Sequence, residues 1–366
     1  MTFEDGDLRA LHRTIVAIPS VSGNEAALAD FVQAFLGRTG VEVLRIDDDV
    51  VAVAGQGPTI LLNSHLDTVP PAPGWTMPPF EATVVDGRVF GLGSNDAKAP
   101  VAAMIAAFMR LLSDPAPCRV VLTLVAGEET GGRGTEHLVP RLKELGLWPD
   151  AVVVGEPTDL EIAVAQKGLM VLELRAAAAS CHAANRRAMG LPNPIVDLAR
   201  DLVALAGLDL GEPDPYLGPI TVEPTVLSGG TARNVVPAEA SSILDVRVNP
   251  RPDSDAVLVL FRGAVRGQIK VLSDRLRPVS VDPGDPIVKA ALAVRPSART
   301  FGSRGLSDWV FFNEVPGIKV GPGRTERSHT ADEFVQETEV TEGARFYEAL
   351  VRNWAAAMAG ATGEEP

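Results

Sequence analysis

Of seven side chains able to bind a cation or carry a proton, six stand where apolar runs of this chain stop. His65 and Asp67 close LLNSHLDTVP (61–70), Glu128 and Glu129 follow LTLVAG, Glu156 follows VVVG, and His329 ends GIKVGPGRTERSH. Asp96 lies in the glycine-rich loop GLGSNDAKAP (91–100). Two imidazoles and five carboxylates, with no cysteine among them, form a nitrogen–oxygen donor set that suits zinc or a similar divalent ion. In an extended segment residues i and i+2 face the same side. Asp67 is therefore placed to accept the other imidazole N–H of His65 and fix its tautomer.

Each of these residues also has an ordinary reading. A lone strand-end histidine is more often core or surface than ligand, and Asp67 before Pro70 reads as a turn residue. Asp96 reads equally as the N-cap of a helix, Glu128–Glu129 as a solvated helix start, and Glu156 as the end of a strand. Their convergence favours a site, because in open α/β sheets sites form outside the carboxyl ends of strands. The remaining histidines differ. His12, on the first helix, and His137, on a polar helix, read as structural or surface residues, and His182 lies in the loop ASCHAANRRAMGLPNP. There is no G-x-S-x-G elbow and no G-x-x-x-x-G-K-[ST] loop. Cys118 begins an apolar strand and reads as core.

Positioning these groups requires strands. VEVLRI, VVAVAG, TILLNS, CRVVLTLVAG and AVVVGEP read as strands, interleaved with helices over KAPVAAMIAAFMRLL and HLVPRLKELG. That alternation predicts an α/β sheet covered on both faces. Residues 10–36 read as a helix interrupted at IPSVSGNE, with Ser22 and Glu25 forming a capping box. After Gly168 the pattern changes to half-exposed strands, LMVLELRAAA, ITVEPTVLSGG, ASSILDVRVNP and IKVLSD, with helices near 193–207 and 254–266. Four antiparallel strands with two helices on one face would make an inserted α+β domain of residues 169–274. Residues 1–168 and 275–366 would form the metal-binding catalytic domain.

The net charge of −14 and pI near 4.9 come without a basic stripe, which argues against a nucleic-acid partner. No apolar run is long enough to span a membrane, and the start of the chain lacks the basic and apolar regions of a secretory signal. Two cysteines are too few for a disulfide framework. The expectation is a cytoplasmic protein.

The stretches SHLDTVP, GLGSNDAKAP, AGEETGG, VVGEPT, GGTARNVVPAEASSILDVR and SHTADEFV together resemble the dinuclear zinc aminoacylases and exopeptidases. That family includes acetylornithine deacetylase, succinyl-diaminopimelate desuccinylase and carboxypeptidase G. The resemblance implies a zinc-exopeptidase-like α/β catalytic domain with an inserted dimerisation or lid domain. It implies two divalent ions per chain, most naturally zinc, with cobalt able to substitute. His65 and Glu156 would hold one, His329 and Glu129 the other, and Asp96 would bridge both. Asp67 would orient His65, Glu128 would be the catalytic acid and base, and the Asp96–Ala97 peptide would be cis. His182 would reach the active site of a partner subunit in a homodimer, and Asn234 and Arg247 would line the substrate pocket. Either Arg247 or Arg233 would grip the substrate α-carboxylate. The branch most similar to GLGSNDA, AVAQKGLMVLEL and GPGRTERSHTADEF is acetylornithine deacetylase, implying a place in arginine biosynthesis. N-succinylornithine, N-acylcitrulline, succinyl-diaminopimelate and acyl-lysine conjugates stay open. So do a dipeptidase or carboxypeptidase and a non-catalytic binding protein on the same fold.

Overall fold

The computed structural model describes residues 3–362. The chain divides into two compact units. One comprises the chain up to Val164, Ser280–Phe301 and the chain from Ser307 onward; the other comprises Ala165–Val279 and Gly302–Leu306.

The first unit is α/β. Its sheet runs in the order Glu42–Ile46, Asp49–Gly55, Arg119–Val125, Thr59–His65, Ala151–Val154, Gly317–Lys319 and Ile162–Gln166. Thr59–His65 is parallel to both Arg119–Val125 and Ala151–Val154, and Gly317–Lys319 is parallel to Ala151–Val154. Side chains alternate across a strand, so Ile60, Leu62, Val153 and Ile318 face one side. There they join the core formed with helices Asp5–Ala17, Ala26–Gly37, Lys98–Ser113, Pro286–Val294 and Glu337–Thr362. Lys98–Ser113 is buried along most of its length, which explains its near-continuous Ala, Met, Ile and Phe. Leu61, Asn63 and His65 face the opposite side.

Two helices, Asp5–Ala17 and Ala26–Gly37, replace the single interrupted helix read over 10–36. The Ser22–Glu25 capping box does not form. Helix Ala26–Gly37 has Glu25 at its N-cap, and Glu25 Oε1 accepts the Gly23 N–H. Ser22 thus lies three residues ahead of the cap, outside the helix, and its hydroxyl donates to Asp67 at 2.7 Å.

The second unit is α+β: a four-stranded antiparallel sheet in the order Thr221–Gly229, Glu239–Val248, Gly168–Ala177 and Gln268–Leu276. Burial alternates strictly along the two central strands. Met170, Leu172, Leu174, Leu244 and Val246 form one buried face under helices Pro194–Ala206 and Ser254–Ala264. No helix among the described residues is long and apolar enough to cross a membrane.

Candidate metal centre

Parallel strands bring the chemistry to one edge. Because Thr59–His65, Arg119–Val125, Ala151–Val154 and Gly317–Lys319 point the same way, the chain leaves all four at the same end. His65 closes the first strand, the loop carrying Glu128 and Glu129 follows the second, and Glu156 follows the third. His329 lies ten residues beyond Lys319, and Asp96 sits just before helix Lys98–Ser113.

Asp96 lies between the two histidines. Its Oδ1 is 3.2 Å from His65 Nε2, and its Oδ2 is 3.8 Å from His329 Nε2. Glu156 Oε1 lies 4.0 Å from His65 Nε2, and Glu129 Oε1 lies 2.8 Å from His329 Nε2. Three overlapping groups have ligand atoms within 4.8 Å of one another: His65, Asp96 and Glu156; His65, Glu128 and Glu129; Asp96, Glu129 and His329. The Asp96–Ala97 peptide is cis, and His329 occupies the left-handed region at φ 60°.

Buried carboxylates at this density oppose one another's ionisation. Burial, then the neighbouring Asp96, pushes Glu156 up to about 8. Burial, only partly offset by His65, holds Glu128 well above the usual carboxylate range. Burial alone would lower His65, but the Asp67 and Asp96 carboxylates outweigh it and raise the imidazole well above its ordinary value. The hydrogen bond to Glu129 raises His329 to about 9. A dication among these groups would remove the carboxylate repulsion, and two imidazoles with four carboxylates match divalent-ion ligands. The residues fit a metal centre.

A second layer fixes these groups. Asp67 is fully buried; it accepts the N–H groups of Glu128 and Glu129, each at 3.1 Å, and the Ser22 hydroxyl. His65 Nδ1 lies 3.0 Å from the main-chain oxygen of Asp67 and 3.5 Å from its Oδ1. Asp67 thus ties the His65 strand to the acidic loop. Glu333 does the same for the Asp96 loop, accepting the N–H groups of Gly93, Asn95 and Asp96 at 2.9 Å. His12 Nε2 meets the Ser94 carbonyl at 2.9 Å, and Lys98 donates to the Ile18 carbonyl. Asp49 accepts the Ala126 N–H, and Asp308 accepts from Thr135 and Asn63. Gly132 begins helix Arg133–Glu144 at φ 70°, and a Cβ there would strike Phe311 and Asp308.

Sequence reading missed Glu333, Asp308, Asp49 and Asn63. Asn63 had a visible signal, a polar residue inside an apolar strand. Asp308 had none, since its partners lie 173 and 245 residues away.

The other candidates lie in the second unit. Cys181–His182 pairs with Val235–Val236, which sets His182 opposite Val235, and the Asn234 carbonyl accepts the Ala183 N–H. His182 is exposed, and its Nδ1 accepts the Ala184 N–H, which leaves Nε2 as the nitrogen able to donate. Arg247 lies on a different strand and makes two bonds to Asp245, of 2.7 and 3.1 Å. His137 is exposed on helix Arg133–Glu144.

The family model described as Peptidase family M20/M25/M40 matches residues 61–353. A succinyl-diaminopimelate desuccinylase of Rhizorhabdus wittichii is 29% identical over 93% of this chain and 96% of its own. A probable carboxypeptidase of Aspergillus terreus is 34% identical over 74% of this chain and 67% of its own. Among solved structures, a dinuclear metal-binding peptidase of Bacillus subtilis matches with a TM-score of 0.71 at 18% identity, covering 97% of this chain and 98% of its own.

Proposed function

From a chain that belongs to the peptidase family M20/M25/M40, an amide-bond hydrolase family, we propose a metal-dependent deacylase of N-acyl amino acids. The observation that carries this reading is Asp96 set between His65 and His329, with Glu156 and Glu129 completing the two ends and Glu128 alongside. His65, Asp96 and Glu156 would hold one divalent ion, and Asp96, Glu129 and His329 the other. Zinc suits the ligands, and cobalt can take its place. When bound, such ions lower the pKa of water and polarise a carbonyl oxygen.

The chain's own residues supply the rest. Burial and like charges give Glu128 a high proton affinity, which suits a group that takes a proton from the attacking water and returns it to the departing amine. Asp67 holds the Glu128 and Glu129 main chain, so the base and one ligand are positioned together. His182, through Nε2–H, is proposed to stabilise the oxyanion, and Asn234 with Arg233 or Arg247 to bind the substrate α-carboxylate. Arg247 would have to share its guanidinium with Asp245.

His182 is proposed to act in a partner subunit. Thr221–Gly229 is an exposed sheet edge bearing Val226 and Leu227, and Val203 on helix Pro194–Ala206 is 73% exposed. A homodimer through this unit would cover them. The free cysteines Cys118 and Cys181 accord with a cytoplasmic setting.

The motif resemblance favours N-acetylornithine, and so arginine biosynthesis; the similarity to desuccinylases favours succinyl-diaminopimelate. Turnover of both, with N-succinylornithine, N-acylcitrulline, acyl-lysine and dipeptides alongside at fixed zinc, separates these readings. Cleavage of dipeptides in preference to every acyl amino acid would replace the deacylase with a peptidase.

A further inference from the structure

We propose that Lys319 is an internal counter-charge of the metal centre, placed beneath its carboxylates and weakening capture of the ion that Glu156 helps to hold. The inference rests on the metal-centre reading above. Lys319 ends the strand Gly317–Lys319, between Ile318 and Val320, both fully buried. Ile318 faces the helix-side core, so alternation sends Lys319 to the face that carries Asn63 and His65. It pairs in register with Val154, which pairs with Asn63, which pairs with Thr123. His65 lies two residues beyond Asn63 on the same face, one step nearer the site, and Glu156 lies two residues beyond Val154, just past the end of its strand. Lys319 is therefore rooted one row beneath the ligands, and a lysine stem spans that step.

Nothing about an apolar strand calls for lysine here. The residue is 6% exposed; burial lowers the proton affinity of its amine, and the Glu156, Glu128 and Asp96 carboxylates oppose that. A buried ammonium persists only beside such groups. Lys319 also acts on Glu156 in return, and its strand lies directly beside Ala151–Val154, which Glu156 follows, whereas the strand before Glu129 stands two strands further along the sheet. The two ends of the centre are thus unequal. An ion held by His65, Asp96 and Glu156 would share two carboxylates with the Lys319 ammonium, whereas one held by Asp96, Glu129 and His329 would share only Asp96 with it. At protein-like screening, one such charge is worth about tenfold or more in affinity.

The test uses metal-free full-length protein titrated with Zn²⁺ against a chromophoric chelator, and with Co²⁺ followed by its visible absorption. The relevant binding step is the one that Glu156→Gln weakens. Lys319→Met and Lys319→Gln should tighten that step about tenfold or more and leave the other within about threefold, while Lys319→Arg should bind as wild type. A variant that folds only with metal present is read from its unfolding midpoint at rising free Zn²⁺, which yields the same affinity. Wild-type protein that binds no divalent ion would overturn the metal centre and this inference with it. Two ions in the wild type, with that step unchanged or weaker in both neutral variants, would overturn this inference alone. So would Lys319→Arg binding as tightly as Lys319→Met.

Discussion

Asp67→Asn changes one oxygen to an amide and removes one charge, yet its effect should reach the proposed base Glu128 and the proposed metal ligand Glu129 together. In the native structure Oδ1 accepts the Glu128 N–H, and Oδ2 accepts the Glu129 N–H and the Ser22 hydroxyl. All are donors, so the amide NH₂ of asparagine must face one of them. If it replaces Oδ1, it meets the Glu128 N–H donor to donor. One buried N–H is then orphaned at about 1–3 kcal/mol, and the remaining bonds lose their charge assistance, for a total of about 2–4 kcal/mol. Asp67 is fully buried, so solvent does not soften this loss. Metal affinity should fall about 10–100-fold, as it does when groups behind metal ligands are removed. Turnover should fall even at saturating metal, because Glu128 shifts with its main chain. Urea unfolding of metal-free protein reads the stability loss, chelator competition reads affinity, and kcat at saturating Zn²⁺ reads the base. Metal affinity within about twofold of wild type, with unchanged kcat, would refute the reasoning.

Glu128→Gln should keep both ions and lose at least about 100-fold in kcat, whereas Glu129→Gln should weaken one ion; metal analysis beside steady-state kinetics separates them. His12, lowered to about 4 chiefly by burial, favours the neutral ring in the folded state. The stability this contributes is present above the unfolded value near 6.5 and is lost as pH falls towards 4, so His12→Gln should reduce the loss between pH 7 and pH 5 by about 2 kcal/mol in urea titrations. Asp49, raised to about 7 chiefly by burial, has the opposite sign: its contribution is present below 3.8 and is lost as pH rises through 7. Asp49→Asn should therefore gain about 2–3 kcal/mol more relative to wild type at pH 8 than at pH 5, and an equal effect at both would contradict a buried proton. Mixed dimers of Glu128→Gln and His182→Asn should recover up to about a quarter of wild-type activity if His182 acts across the dimer; no recovery, with subunit exchange confirmed, would place it in its own chain or outside the chemistry.

The strand ends were legible because a buried parallel strand has little reason to stop in His, Asp or Glu. LLNSHLD, LVAGEE and VVVGEP announced both a sheet and groups gathered at its edge, and period-two alternation in LMVLELRAAA exposed the second unit. What stayed hidden was long-range and polar. Ser22 looked like a cap because Ser-x-x-Glu before an apolar run is a local pattern, and nothing local showed that Asp67 would claim its hydroxyl. Glu333 lay within SHTADEFV, yet its three bonds go to a loop about 240 residues earlier. Lys319 sat in GIKVGPG as one charge in an apolar strand, and only the register with Val154 shows which carboxylates lie ahead of it.

The most direct test of the account is hydrolysis by chelator-stripped protein before and after Zn²⁺ is restored, with bound metal counted in the same samples. N-acetylornithine and succinyl-diaminopimelate serve as substrates, and release of the free amine is followed. The account predicts no turnover without metal, recovery as two ions per chain bind, and amine release from at least one of the two. Full occupancy by two ions with no amide cleavage of any acyl amino acid or dipeptide would contradict it, and so would undiminished cleavage by metal-free protein.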